Sequence, residues 1–295
     1  MTLTNFPDGI FATPNLGSNG RDAFAGTSPT GVQNIFYVDN TQGNDENDGL
    51  SPKSPRATIQ SAVTSCGVNG VIYVKGTATD YDESVTGVAD GVSLIGIGFS
   101  ESKTGWTADT DATCLSLSGA KGASVSGFLF RPDGATSGCA IDITEVTSND
   151  TDGVKIFDNI FKSTGVDCAY HILANGAPSY VKIYNNQFTW GAIGINCTTV
   201  PIAVATGWEI VDNYFSDKVA DYGIYIPLRR SLIKGNHFST ITVCISTLGY
   251  SAIGSYNDVN DNYLPGTWDT VGEATATDSW QGNYNNFAVN AANPT

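Results

Sequence analysis

Between residues 154 and 238 one phrase of alternating apolar and polar positions returns four times: Val-Lys-Ile-Phe-Asp-Asn-Ile-Phe (154–161), Val-Lys-Ile-Tyr-Asn-Asn-Gln-Phe (181–188), Trp-Glu-Ile-Val-Asp-Asn-Tyr-Phe (208–215) and Ser-Leu-Ile-Lys-Gly-Asn-His-Phe (231–238). Weaker copies follow at Asn257–Leu264 and Asp278–Asn285. The second Asn marks each copy, at Asn159, Asn186, Asn213, Asn236, Asn262 and Asn283, with gaps of 27, 27, 23, 26 and 21 residues. Earlier in the chain, Leu94, Ile97 and Phe99, then Val125, Phe128 and Phe130, keep the phase without the Asn. Alternation along a strand points Val154, Ile156 and Phe161 inward. It points Phe157, Tyr184 and Val211 outward on one side of a bend, and Ile160, Gln187, Tyr214, His237, Tyr263 and Tyr284 outward on the other.

Each period also holds β-rich stretches, such as Cys139–Thr144, Gly191–Cys197, Tyr222–Leu228 and Val243–Leu248, separated by Gly, Asn and Asp. No run has the 3.6-residue period of an amphipathic helix, and the Leu/Asn spacing of a leucine-rich repeat is missing. The pattern therefore predicts an all-β solenoid, a right-handed parallel β-helix of about eight coils and on the order of 40 Å in length. The recurring Asn is expected at the bend between strands. There it would tolerate φ > 0 and its amide would bond the Asn above and below in a ladder. Cys139, Cys168 and Cys197 are expected to stack inside the coil as small hydrophobes.

An open solenoid end exposes core and strand edge and needs a cap. Residues 56–65 have the spacing of a short helix that would serve. The predicted organisation is an extended arm over 1–34, rich in Gly, Pro and Asn and without periodicity, then an opening strand, turn and capping helix over 35–66. The β-helix follows over 67–285, with a C-terminal tail over 286–295.

Composition refines this picture. With 29 acidic against 14 basic residues the formal charge is −15, which repels nucleic acid and anionic lipid; no basic cluster beyond Arg229-Arg230 opposes it. The same field disfavours a polyanionic polysaccharide. The N-terminus shows no signal-peptide pattern and no stretch approaches 18 apolar residues, so the expectation is synthesis in a cytoplasm with neither export nor a membrane span. Six cysteines in 295 residues, without CxxC or Cys/His spacing, read as reduced thiols, with no metal or cofactor expected.

The segment Phe36-Tyr-Val-Asp-Asn, Gly43-Asn-Asp, Asp48-Gly-Leu-Ser-Pro and Ala57-Thr-Ile-Gln resembles the opening of the pectate-lyase-like β-helix superfamily. With the repeats, the resemblance covers about residues 36–285. It implies the fold. For function it leaves open polysaccharide lyases and hydrolases, phage tailspike depolymerases and virion proteins without activity. Asp45, Asn47, Asp48 and Gly49 have the composition of a calcium loop, but twelve residues from Asp45 ends at Arg56 rather than Glu, and turn chemistry explains them better.

Glycoside hydrolysis requires two carboxylates at a set separation. Asp158, Asn185, Asp212, Gly235 and Asp261 form a column ahead of the Asn ladder, in which Asp158 and Asp212 would lie two strands, about 9.6 Å, apart. That is the far limit for an inverting pair. Arg229 and Arg230 are the positions at which a lyase-like base would be sought, although their context does not match the lyase motif. The polygalacturonase-like Asn-x-Asp, Asp-Asp and Gly-His-Gly set is missing.

From the resemblance and the missing export pattern, the first expectation is a non-enzymatic bacteriophage structural protein. It would be a capsid decoration or fibre subunit, trimeric, docked on partners such as the major capsid protein through residues 1–34, and would reside in the virion. Phe157, Tyr184, Val211, Tyr214 and Tyr263 are its expected interface. The alternatives are a polysaccharide depolymerase, lyase or glycoside hydrolase, using Asp158, Asp212, Arg229 or Arg230, and a carbohydrate-binding module with a host surface glycan as partner.

Overall fold

The computed structural model describes residues 34–98, 103–133, 138–147, 150–163, 168–176, 178–197, 205–216, 219–239, 241, 243–246, 258–263, 279–285 and 288–290. The expected arm lies outside them except for Asn34. The described chain is an all-β parallel β-helix with one helix, Ile59–Ser65. Its strands form three long faces. The first sheet has ten strands, beginning at Ile35–Val38 and Val71–Lys75 and passing through Lys155–Phe157, Lys182–Tyr184, Glu209–Val211 and Leu232–Lys234 to Ser279–Gln281. The second has seven, among them Ile160–Lys162 and Gln187–Thr189, and the third six, among them Tyr170–Leu173 and Gly191–Asn196. The six-stranded face holds the complete three-sided turns described here below the eight expected. The opening strand Ile35–Val38 is itself the first rung, paired in parallel with Val71–Val74. Within the expected C-terminal tail, Ala288–Asn290 is a strand, folded back antiparallel on Asn283–Asn285.

Identical register on successive rungs follows from the repeat. Ile156 lies over Val125 and under Ile183, which lies under Ile210 and then Ile233. Val154, Ile156 and Phe161 are fully buried. On the second sheet Phe130, Phe161, Phe188, Phe215 and Phe238 form a column with centroids 5.4, 4.8, 4.6 and 4.7 Å apart and planes within 9° of parallel. Strand spacing imposes that separation, which is the stacking distance of aromatic rings.

The marker Asn residues sit inside the corner between first and second sheets, 0–2% exposed. Asn159, Asn186, Asn213, Asn236 and Asn262 each donate a backbone N–H to the Oδ1 of the next Asn, at 2.9–3.0 Å. Each Nδ2 donates to that same Oδ1 and to a first-sheet carbonyl one rung back, from Val125 for Asn159 to Ile233 for Asn262. A side chain with both a donor and an acceptor is needed, and neither Asp nor Leu supplies both. The left-handed backbone belongs to the residue before the Asn, contrary to the expectation that the Asn itself adopts it. Asp158, Asn185, Asp212 and Asp261 have φ of 54–55°, and Gly235 and Gly282 have 66° and 65°. These are the residue types that tolerate that region at least cost.

The helix closes the lower end. Its Thr58 cap accepts from the Ser61 amide, and the Glu83 carboxylate accepts from the amides of Ile59 and Gln60 at 2.8 and 2.9 Å. Asp45 accepts from the Ala57 and Thr58 amides, both at 2.9 Å, which accounts for the acidic turn without an ion.

Asn186→Leu strands the backbone N–H of Asn159 and removes one donor each from the carbonyls of Ile156 and Tyr184. At about 1–3 kcal/mol per buried group left unbonded, it should lower unfolding free energy by about 1–3 kcal/mol in denaturant titration. Gln187→Leu, one residue on and exposed, should change it by less than about 0.5 kcal/mol.

Candidate functional site

The outward positions of the first sheet form two columns. One runs Ser124, Lys155, Lys182, Glu209 and Leu232; the other runs Ser126, Phe157, Tyr184, Val211 and Lys234. Beside them stands the left-handed column of Asp158, Asn185 and Asp212. Because three-residue strands leave these columns close together, side chains from three successive rungs enclose a shallow groove of about 460 Å³. Lys155, Lys182, Tyr184, Asn185, Glu209, Val211 and Asp212 line it. Lys182 Nζ donates to Glu209 Oε1 at 2.8 Å, with both side chains partly exposed. Phe157 and Tyr184 stack with centroids 4.9 Å apart and planes 3° from parallel, so the far face of Tyr184 is turned toward the Val211 rung. Burial and then the nearby Asp158 carboxylate push the Tyr184 hydroxyl above its ordinary value.

The structure separates the four residues named as catalytic candidates. Asp212 lines the groove, whereas Asp158 stands two rungs away and outside it, its carbonyl accepting from Lys103 Nζ at 2.5 Å. Arg229 and Arg230 lie at the opposite end of the rung, where Leu228–Arg229 pairs with Ala205–Thr206 before the chain enters the first sheet. Arg230 takes the left-handed turn there, at φ 50°. The groove instead pairs Asp212 with Glu209, which the reading of the sequence passed over. A signal was present: the second position of the repeated phrase is Lys155, Lys182, then Glu209, a charged outward site in consecutive copies.

Gly235 follows Asp212 in the left-handed column, and a Cβ there would come within 2.2 Å of Asp212 Oδ1; Gly282 stands in the same relation to Asp261. A carboxylate thus leans over a position without a side chain. Of the expected interface residues, Phe157, Tyr184, Val211 and Tyr263 are half-buried and Tyr214 is 39% exposed. Tyr214, His237 and Tyr263 make a second aromatic column, with centroids 5.2 and 4.6 Å apart.

All six cysteines are buried thiols, but Cys197 does not share the register of Cys139 that the expected stack of Cys139, Cys168 and Cys197 requires. Cys139 is in register with Tyr170 at the start of a third-sheet strand, whereas Cys197 follows Asn196 at the end of another. Burial pushes the Cys66 and Cys139 thiols up to about 11 and 12, which makes them inert. His171, which the sequence pattern did not single out, lies wholly inside the coil. It touches the rings of Phe161 and Phe188, with Nδ1 3.4 Å from Cys168 Sγ. Among the described residues no group of three His, Cys, Asp or Glu side chains could hold a metal ion, and no helix is long and apolar enough to cross a membrane.

No family model and no curated protein matches the sequence. Among solved structures the chain is similar to native GH136 lacto-N-biosidase from Eubacterium ramulus, with a TM-score of 0.62 at 11% identity over 85% of this chain and 56% of that one. The selenomethionine derivative of that protein gives 0.50 at 10% identity over 78% and 56%, and XylC in complex with xylose gives 0.49 at 10% over 84% and 67%. The likeness is one of fold. The chain spans little more than half the length of the lacto-N-biosidase.

Burial lowers the His171 pKa to about 3, against 6.5 for the exposed side chain. Between those values the unfolded chain binds a proton that the folded chain refuses, so stability is intact above pH 6.5 and drains away as pH falls toward 3. His171→Leu should flatten this part of the stability profile and move the acid-unfolding midpoint, followed by circular dichroism, to lower pH.

Proposed function

We propose that the protein is a carbohydrate-active β-helix that seats a glycan in the first-sheet groove and hydrolyses it. The observation that carries this reading is the convergence of Glu209, Asp212, Lys155 and Lys182 around the open face of Tyr184. An aromatic face takes the apolar side of a sugar ring, and charged groups at its rim bond the hydroxyls. Two cations balance two carboxylates, so the groove is locally neutral on a chain of charge −15. A neutral or zwitterionic glycan suits it better than a polyanion.

Glu209 and Asp212 are three residues apart, on the order of 10 Å between Cα positions. Both carboxylates line the same groove, and an inverting hydrolase holds a water and a leaving group between two such groups. The two divide general acid and general base between them. Support from outside the chain is the fold it shares with a lacto-N-biosidase.

A second reading, a phage structural protein assembled as a homotrimer and docked through residues 1–34, draws on two observations. Asp212 occupies a turn register that Asn185 and Gly235 also fill for backbone reasons, and Tyr214, His237 and Tyr263 display an aromatic stripe.

Reducing-end release from a panel of neutral polysaccharides separates the readings. Under the hydrolase reading Glu209→Gln or Asp212→Asn lowers turnover by at least about 100-fold while glycan affinity changes little. Absence of turnover on every panel member, together with the chain at stoichiometric copy number in purified phage particles, would establish the structural role instead.

A further inference from the structure

The opening segment that carries the family resemblance encloses a second groove, of about 530 Å³, which the reaction proposed above does not use. Tyr37 and Tyr73 are register partners on the first two rungs and stack at 5.7 Å, with planes 26° apart. Beside them stands Asp39, only 4% exposed. Its Oδ1 accepts from the amides of Thr41 and Gln42 at 2.9 and 3.1 Å, and its Oδ2 from Lys75 Nζ at 2.6 Å. Burial opposes the charge on Asp39, but Lys75 and the two amides outweigh it and hold the carboxyl below its ordinary value. Lys75 uses one of its three ammonium hydrogens in this pair and its side chain is 55% exposed, so donors remain for a ligand. Gln42 adds an exposed amide, and Ile97, 52% exposed, forms an apolar rim.

A pair of aromatic rings with a fixed, charge-neutral set of donors and acceptors at its edge matches one ligand chemistry, a neutral pyranose. The place of the groove adds a second consideration. Register runs from Tyr73 through Ile95, Ser126 and Phe157 to Tyr184, four rungs or about 19 Å along one outward column. Both grooves therefore open on the same face, and between them Ser93 and Ser124 present paired hydroxyls, 2.9 Å apart.

We propose that the Tyr37–Tyr73 groove is an accessory carbohydrate-binding subsite that grips a neutral polymer remote from Asp212. It rests on the glycan reading above for the class of ligand, and on its own geometry for the site. A polymer that engages both grooves gains avidity that a short fragment cannot.

The test uses the full chain, isotope-labelled, titrated with xylo-, cello- and laminari-hexaose and their disaccharides, with resonances of Tyr37 and Tyr73 followed separately from those of Tyr184. Hexaose binding should shift both sets. Tyr73→Ala should weaken hexaose binding at least about tenfold and leave disaccharide binding at Tyr184 unchanged. Ile97→Glu, at an exposed rim position that the fold does not need, should do the same. Shifts confined to Tyr184, with hexaose affinity unaltered in both variants, would overturn the subsite and leave the hydrolytic groove standing. Shifts confined to Tyr37 and Tyr73 would uphold the subsite and remove the glycan reading from the Asp212 groove. Silence at both sites across the panel, or occupancy of the Tyr37–Tyr73 groove by a polyproline decapeptide in place of sugar, would overturn it.

Discussion

From Asn159 onward, one buried amide holds each rung of this solenoid to the next. Where the chain turns from the first sheet into the second, its backbone leaves the strand ladder and would strand an N–H inside the protein. The Asn of the following rung accepts that N–H through Oδ1, and its own Nδ2 donates to a first-sheet carbonyl one rung back. Because each Asn is both satisfied and satisfier, the ladder tolerates no gap, and from Asn159 to Asn283 none occurs. At its lower end the Oδ1 of Asn159 accepts from the amide of Phe128, where no further Asn is needed.

That constraint propagates outward. To place the Asn inside, the residue before it must turn through left-handed backbone, and this restricts the column to Asp, Asn and Gly. It also fixes the phenylalanine two residues later on the inner face of the second sheet, where strand spacing brings the rings into contact. Carboxylates such as Asp158, Asp212 and Asp261 are thus presented at the surface by a backbone requirement. Any chemistry at Asp212 is built on a turn that the fold demands anyway.

The outward columns of the first sheet carry no such requirement, and there the copies diverge. Lysine gives way to glutamate at 209 and to leucine at 232, and aromatic residues give way to Val211 and Lys234. This variation over an invariant frame produces two distinct recesses on one face. The recess around Asp212 is formed by repeated rungs alone. The one around Tyr37 and Tyr73 needs the non-repeating opening turn to wall it.

What the sequence determined by itself was everything that repeats: the all-β class, the inward set of Val154, Ile156 and Phe161, and the corner at which the marker Asn lies. Periodicity reveals these because every rung faces the same environment. Within one copy Asp158 and Asn159 both tolerate φ > 0, and only Gly235 and Gly282 at the position before the marker Asn hint at which residue the threading of the backbone selects. Periodicity could not stack the cysteines, because the third face has loops of unequal length and equal offsets in sequence do not become equal register. The burial of His171 and the meeting of Glu209 with Lys182 and Asp212 were likewise decided by tertiary structure. His171 is enclosed by Phe161 and Phe188, 10 and 17 residues away, and Glu209 meets Lys182 from 27 residues back, brought within reach by the coiling of one rung upon another.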